Sequence, residues 1–421
     1  MASSFPVAAT VKKIMSQWDF LCTTDSEDLY CYNEKKGLWE SNAKWIIYQE
    51  LEKTNPSVST FSIREVINKI SRRSPIERNK LGTHDGYINV KNGMIEIGTG
   101  KLLGHDRNHF SITQIPVKYD EDATCPQIRT FISQILSEED APLVYEMFGF
   151  LLAPRYIHHK AFMFYGPKGR NGKTTLIKLI HNFIGTNNYS AVELQDFGKD
   201  IFSTAGLFGK MVNVADDLSS KAVRNVGTFK QLTGESPISS RNLYQSRFEF
   251  TNKAKMIFAC NRIPPILDAD SPFYERWIIL PFENEFRGKE KDDKQLIFKI
   301  TKPQELSGLL NIAIMAYKLI MENNGFSYDK SPQEIKQICL AGSGDTVGRF
   351  IYEQTTLQHD SRITKQEMLT AYYDFCDNNN LLSLDDNLFF RRFKEYHPDI
   401  QEVQYRENGG RLRAYRGIKI A

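Results

Sequence analysis

The sequence predicts an α/β fold: a parallel sheet covered by helices, with an α+β region before it and a helix–helix–hairpin module after it. Three observations carry this expectation. Short apolar runs, Ala161–Tyr165, Met211–Ala215, Lys255–Cys260 and Trp277–Leu280, alternate with stretches of helical period such as Lys173–Ile184, the pattern of buried parallel strands. Ahead of them, Asn92-Gly93 stands between the alternating runs Tyr87–Val90 and Met94–Ile97, which marks a hairpin. At the end, two amphipathic helices precede two runs around Asn408-Gly409-Gly410, the element order of a winged helix.

The remaining elements follow in chain order. Val11–Phe20, Ala43–Thr54 and Ser62–Ser71 read as helices, and so do Pro126–Leu136 and Ala141–Leu152, each with a proline in its first turn. From Asn323 to Asp360 the chain is polar, partly helical and broken by Gly325, Gly342 and Gly344, as a connector would be. Lys365–Cys376, with Thr364 as N-cap, and Asp386–Tyr396 are the last two helices, and Glu402–Ile420 supplies the final hairpin. The expected division is an N-terminal α+β domain over 1–140, the sheet domain over 141–325, a helical connector over 326–360 and a winged-helix domain over 361–421.

Composition limits the function classes. The 421 residues carry 54 Lys+Arg against 51 Asp+Glu, a net charge of +3, so binding to nucleic acid has to rest on local basic patches. The six cysteines form no Cys-x-x-Cys pair and stand near no histidine cluster, which favours buried thiols in a reducing compartment over zinc or disulfides. His158 and His159 are adjacent, so their rings point apart and read as structural. No run reaches the length of a membrane span and the N-terminus lacks a signal-peptide layout; a soluble intracellular protein of the cytoplasm is expected, with no membrane partner.

The decisive segment is Gly166-Pro167-Lys168-Gly169-Arg170-Asn171-Gly172-Lys173-Thr174-Thr175. It leaves an apolar strand and opens a helix, the context of a P-loop, in which backbone N–H groups curl around phosphate oxygens and the helix N-terminus adds its dipole. Lys173 would reach the β- and γ-phosphates of ATP and the Thr174 hydroxyl would bind Mg²⁺; Gly166, Gly169, Arg170, Asn171, Gly172 and Thr175 complete the cradle. Pro167 stands where the strict spacing puts the first glycine, and Gly166 lies one residue further back, so the loop reads as one residue longer than the minimal form.

Such a loop needs a second acid to hold Mg²⁺ and orient water. Met211–Ala215 ends in Asp216-Asp217, with Asp216 read as the metal-side residue and Asp217 as the water-polarising one, roles that could be exchanged. On its own, an acid pair after a strand is a turn or cap; behind a P-loop the catalytic reading is favoured. Asn261 closes the next strand and is placed to sense the γ-phosphate, although Asn before Pro264-Pro265 is also an ordinary turn signal. Arg276 follows as candidate arginine finger, lifted above an ordinary surface arginine only by its place after that strand.

The order Asn-Gly-Lys-Thr at 171–174, strand-Asp216-Asp217, Lys230–Glu235, strand-Asn261, Arg276 and Leu280-Pro281-Phe282 resembles superfamily 3 helicases, hexameric AAA+ motors of small DNA viruses, phages and plasmids. The branch that includes poxvirus primase-helicases and satellite-phage primases is the nearest in pattern. Its helicase-associated N-terminal domain is also resembled by Asp85–Gly93, Gly98-Thr99-Gly100, Tyr119-Asp120 and Cys125-Pro126. The resemblance implies a magnesium-dependent, ATP-driven replicative helicase acting on single-stranded and forked DNA, self-associated in a hexameric ring, with a separate primase or polymerase as a further partner. Members of the group often carry a primase domain ahead of these modules; this sequence starts directly with the helicase-associated part, so primer synthesis is not expected of it. In such helicases a hairpin between the acid strand and the Asn strand grips DNA in the ring channel. The matching segment here, Pro237–Phe250, offers Arg241, Tyr244 and Arg247, with Lys230 just before it facing either DNA or a neighbour's nucleotide. In the C-terminal module Arg391, Arg392, Arg411 and Arg413 are the candidate DNA contacts, while Phe389, Phe390 and Phe393 read as core. Two other functions share these motifs: an AAA+ initiator that remodels DNA without processive unwinding, and a winged-helix regulator with a nucleotide switch.

Overall fold

The computed structural model describes residues 5–421 apart from 83–85, 220, 225, 244–245, 268, 287–292, 294 and 408–409. The chain opens with α1 (Val7–Met15), β1 (Phe20–Thr23), β2 (Leu29–Asn33), β3 (Leu38–Glu40), α2 (Ala43–Thr54), α3 (Thr60–Arg73) and β4 (Pro75–Ile76). The strands form a sheet in the order β3-β2-β1-β4, and Phe20, Cys22, Leu29 and Cys31 share a core with Val11, Ile47, Leu51, Val66 and Ile70 of the helices. The helix expected over 11–20 ends at Met15. Phe20 instead pairs with Cys31 in the sheet, because a long-range strand partner overrides the local helical period.

A three-strand meander follows, β5 (Tyr87–Val90), β6 (Gly93–Glu96) and β7 (Leu102–Leu103), then α4 (Pro126–Ile135) and α5 (Ala141–Leu152). Ile88, Val90 and Ile95 pack into the same core as α4, α5 and the central sheet, so no break between cores falls at residue 140.

The central sheet is built from β8 (Ala161–Tyr165), β9 (Tyr189–Ser190) and β10 (Val212–Ala215), with α6 (Lys173–Ile184) after β8 and α7 (Val226–Leu232) after β10. Beyond a hairpin, β11 (Pro237–Arg241) and β12 (Arg247–Thr251), come β13 (Lys255–Cys260), α8 (Ser271–Tyr274), β14 (Trp277–Pro281), α9 (Leu296–Ile300) and α10 (Pro303–Glu322). The order is β14-β8-β13-β10-β9, and each pairing is parallel. Side chains of each strand alternate between two cores. Phe162, Phe164, Ile257, Ala259, Ile278 and Leu280 face α5, α6 and α10. Ala161, Met163, Met256, Phe258, Trp277 and Ile279 face α7, α8 and the hairpin. Burial on both faces is why these runs are continuously apolar, and the expected parallel α/β sheet is what the chain forms.

The last part contains α11 (Pro332–Ser343), α12 (Thr346–Gln354), β15 (Thr355–Thr364), α13 (Lys365–Asn378), α14 (Asp386–Tyr396), β16 (Gln401–Glu407) and β17 (Gly410–Ile420). Thr364 and Glu367 cap α13 reciprocally. The segment expected as a connector, 326–360, does not stand apart. Ile335 and Cys339 of α11 lie in the core under the sheet, whereas Val347 and Phe350 of α12 join Met368, Tyr372, Phe389 and Phe393. β15 was not expected. It completes a three-stranded antiparallel sheet, β15-β17-β16, but most of its residues are exposed, so the sequence shows no alternation there. The turn Asn408-Gly409 lies outside the described residues. All six cysteines are buried thiols, and among the described residues no helix is long and apolar enough to cross a membrane.

Candidate nucleotide and DNA sites

The glycine-rich loop leaves the C-terminal end of β8 and is tied to both neighbouring strands. The Gly166 N–H donates to the Cys260 carbonyl at 3.2 Å, and the Phe282 N–H to the Tyr165 carbonyl at 2.7 Å. A Cβ on Gly166 would stand 2.2 Å from Asn171 Nδ2 and 2.9 Å from Lys173 Nζ. Only glycine leaves room for both side chains to fold back under the loop, which accounts for the glycine lying one residue early. Gly172 sits at φ +93° with Ile135 Cγ2 2.4 Å from where a Cβ would be, so this position too requires glycine.

Lys173 is 7% exposed and its ammonium has three acceptors: the Gly166 carbonyl at 2.8 Å, Asn171 Oδ1 at 3.3 Å and Asn261 Oδ1 at 2.9 Å. Burial lowers its pKa, while the charge of Asp217 acts the other way. Asn171, itself buried, donates to the Lys168 carbonyl at 2.7 Å and the Phe282 carbonyl at 3.2 Å, holding the loop in shape. Lys173 and Asn171 thus meet Asn261, 88 residues beyond the lysine, at the ends of β8 and β13.

Asp216 and Asp217 follow β10, which pairs with β13, and both are exposed. The Leu218 N–H donates to the Ala259 carbonyl at 2.9 Å and fixes the turn that carries them. The charge of Asp217 reaches Lys173, that of Asp216 the imidazole of His181 on α6, whose pKa burial lowers. Thr174 is exposed at the first turn of α6. Among the described residues no three His, Cys, Asp or Glu side chains gather as a metal set; oxygens beside the loop include the Thr174 and Thr175 hydroxyls and the Asp293 carboxylate, which line the adjoining cavity, and the charge of Asp217 reaches Lys173. Beside the loop opens a cavity of about 300 Å³ lined by Phe131, Ile135, Arg170, Thr174, Phe286 and Leu296. The sequence reading missed Phe131 and Ile135 because on an amphipathic helix they count as core. A larger cavity, about 630 Å³, lies where Lys255 begins β13 and contains none of the expected site residues.

Arg276 is not brought to the loop of its own chain. Its carbonyl accepts from the Ala161 N–H at the start of β8, four residues before the loop strand ends, which at about 3.3 Å per residue is roughly 13 Å away. Its Nε donates to Thr233 Oγ1 at 2.9 Å and its Nη1 to the Pro272 carbonyl. Lys230 lies one turn before Thr233 and pairs with Asp270 at 2.7 Å. The structure therefore groups Lys230 with Arg276 at the N-terminal edge of the sheet, and not with the hairpin cations.

In the hairpin, Ile238, Ser240, Phe248 and Phe250 face inward while Ser239, Arg241, Arg247 and Glu249 face out. Arg241 and Arg247 are direct cross-strand partners, and like charges so placed repel unless an anion lies between them. Arg241 also lies over the Phe202 ring at 5.4 Å. Tyr244 lies outside the described residues.

In the C-terminal module Phe389 and Phe393 are fully buried and Phe390 packs against them, as core. Arg391, Arg411 and Arg413 are exposed, and Arg411 opposes Arg406 across β16 and β17. Arg392 differs: its guanidinium is committed to Asp345 at 2.7 and 2.9 Å and to Glu395, so it braces α14 and does not project as a DNA contact.

Residues 18–137 match the family described as D5 N terminal like, and residues 164–276, from β8 to Arg276, match a family of unknown function, DUF5906. The "Putative helicase 022R" of Frog virus 3 (isolate Goorha) is 24% identical over 251 residues, 52% of this chain and 25% of that protein. These matches are a likeness to viral and phage primase-helicases. A second relative, the "Putative helicase 121R" of Invertebrate iridescent virus 3, is 23% identical over 219 residues, 48% of this chain and 23% of the relative. The chain thus spans about a quarter of the length of the curated relatives it matches. The apo A-form structure of the NrS-1 C-terminal region covers 98% of the chain at a TM-score of 0.50 and 11% identity, and is itself covered to 100%, a likeness of fold.

Proposed function

We propose that the chain is an ATP-dependent DNA helicase motor of the superfamily 3 type, an AAA+ ATPase acting as a hexameric ring on single-stranded and forked DNA, with a C-terminal winged helix. The observation that carries this reading is the position of Lys173, whose ammonium joins the loop carbonyl of Gly166 to Asn261 at the end of the next parallel strand. In this reading Lys173 and the N–H groups of Gly169–Thr175 hold the triphosphate, Asn261 positions the γ-phosphate side, and the cavity at Phe131, Ile135 and Phe286 takes the base. Mg²⁺ would supply charge neutralisation of the phosphates; Thr174 and Asp216 would hold it with water and phosphate oxygens completing its shell, and Asp217 would orient the attacking water. Arg276, about a strand length from its own loop, suits the nucleotide of an adjacent subunit, and Lys230 beside it suits the same seam. The opposed Arg241 and Arg247 suit DNA phosphates, as do Arg391, Arg411 and Arg413.

Lys173→Ala tests the reading: it is expected to abolish ATP hydrolysis with the circular dichroism spectrum unchanged. Normal turnover in the folded variant would overturn it. A forked-duplex assay then separates motor from remodeller: ATP hydrolysis stimulated by DNA without strand separation would support the initiator-like alternative.

A further inference from the structure

We propose that Arg262 is a positioning residue that links the nucleotide site to the C-terminal module, so that the state of the one changes the DNA affinity of the other. This rests on the reading above. Three successive residues after β13 face two ways. Asn261 accepts from Lys173 at 2.9 Å. Arg262 donates through Nε to the Ser343 carbonyl and through Nη2 to the Gly344 carbonyl at 3.2 Å, capping the C-terminal end of α11 with a cation. Ile263, fully buried, donates its backbone N–H to the Gly342 carbonyl at 3.1 Å. The fit there is close: a Cβ on Gly342 would lie 2.8 Å from Ile263 and 3.2 Å from the ring of Tyr165, the residue just before the glycine-rich loop.

The chain then passes directly into the C-terminal module. Asp345, next after Gly344, has a side chain 4% exposed. It caps α12 through the Gly348 N–H at 3.1 Å and accepts from Arg392 and, at 2.8 Å, from the Tyr396 hydroxyl of α14. Glu395, between these two residues, binds Arg392 and also Arg224, at 3.2 Å, in the segment between the acid pair and α7. The loop after the acid strand thus reaches α14 directly through Arg224, and the loop after the Asn strand reaches it through the end of α11 and Asp345. A shift of Asn261 when a γ-phosphate takes the place of its lysine contact would carry Arg262 with it and tilt α11 against α14. Coupling of this kind is reciprocal and is read as a ratio of affinities.

The experiment measures the dissociation constant of the full chain for a forked DNA duplex, with and without a non-hydrolysable ATP analogue plus Mg²⁺, for wild type, Arg262→Ala, Arg262→Lys and Arg224→Ala. The analogue is expected to change wild-type affinity by at least about 5-fold, the lower end of ordinary coupling. Arg262→Ala should bring that ratio to within twofold of one, with analogue affinity in the absence of DNA and the melting temperature unchanged. Arg262→Lys should restore part of it, and Arg224→Ala should reduce it less. An Arg262→Ala protein with the wild-type ratio overturns the proposal, and so does one that loses analogue affinity as far as coupling. If wild type binds analogue and DNA without influence of one on the other, the coupling falls while the ATPase reading stands; if it binds no analogue, both fall.

Discussion

Lys255 begins β13 with its side chain inside the protein, 1% exposed, its ammonium on the Ala153 carbonyl at the end of α5 and within 6 Å of the rings of Phe150 and Tyr156. Burial lowers its pKa to about 7. An unfolded lysine titrates near about 10.4. Between about pH 7 and 10 the unfolded chain therefore holds the extra proton, and this residue makes stability rise with pH by at most about 1.4 kcal/mol per unit. Lys255→Met removes that slope. Urea midpoints at pH 7 and 9 should show wild type gaining on the variant, and parallel shifts would mean that Lys255 titrates normally. The acid pair gives a second residue-scale expectation. Asp217, whose charge reaches Lys173, should as Asp217→Asn bind nucleotide but hydrolyse it at least about 100-fold more slowly. If Asp216→Asn does this instead, and Asp217→Asn loses Mg²⁺-dependent binding, the two roles are exchanged. The motif singled out Lys173, and the structure buries it among the loop carbonyl, Asn171 and Asn261, while the two acids stay exposed at the end of β10. The burial of Lys255 was not legible, because a lysine opening an apolar run reads as a solvated strand end.

At the scale of the element, the hairpin β11–β12 separates a buried face from an exposed one by period two. Phe248 and Phe250 pack inward against Phe208, and Arg78 lies at 4.5 Å over the Phe248 ring, so the inner face is fixed to the body of the protein. The outer face holds Arg241 opposite Arg247. Reversing both charges, Arg241→Glu with Arg247→Glu, should weaken single-strand binding. It should also lower the slope of log affinity against log salt by about 0.7 for each lost phosphate contact. Basal hydrolysis should be retained, because Lys173 is held by Gly166, Asn171 and Asn261 and by neither arginine. An unchanged slope in a filter-binding titration would remove the hairpin from the DNA path. Helices with a clear period, such as α4, α6 and α14, were read correctly because their buried residues recur every three or four positions. The strands β1, β2 and β3 were not, since each has five residues or fewer and takes its form from pairing with the others.

The whole molecule sets Arg276 and Lys173 at opposite ends of the same parallel strands. A finger arginine acts on a transferring phosphoryl group within hydrogen-bond reach, and in this chain the Arg276 guanidinium is turned to Thr233 and Pro272, about 13 Å of strand from its own loop. Arg276→Ala and Lys173→Ala are each expected to be inactive alone. Mixed under conditions of subunit exchange they should recover part of the hydrolysis, because some seams then pair an intact loop with an intact arginine. A mixture as inactive as its parents, with exchange verified by fluorescence transfer, would remove Arg276 from the reaction. The same scale decides Lys230. In sequence it lies just ahead of the hairpin, yet in space it pairs with Asp270 beside Arg276, since α7 and α8 pack together on one face of the sheet.

The sequence by itself determined the parallel α/β core, the glycine-rich loop and the order of acid, asparagine and arginine behind it. Buried parallel strands must be apolar on both faces, and a loop that folds its own side chains back beneath it needs glycine where they crowd the backbone, so both leave local signatures. Only the tertiary structure decided which of these residues meet. It joined Lys173 to Asn261 across two strands, kept Arg276 away from them, turned Arg392 from a surface cation into a brace for Asp345, and placed Arg262 between the strand end that carries Asn261 and the last module. Such meetings depend on strand order and on contacts between residues dozens to hundreds of positions apart. A spacing pattern read along the chain carries no distance of that kind.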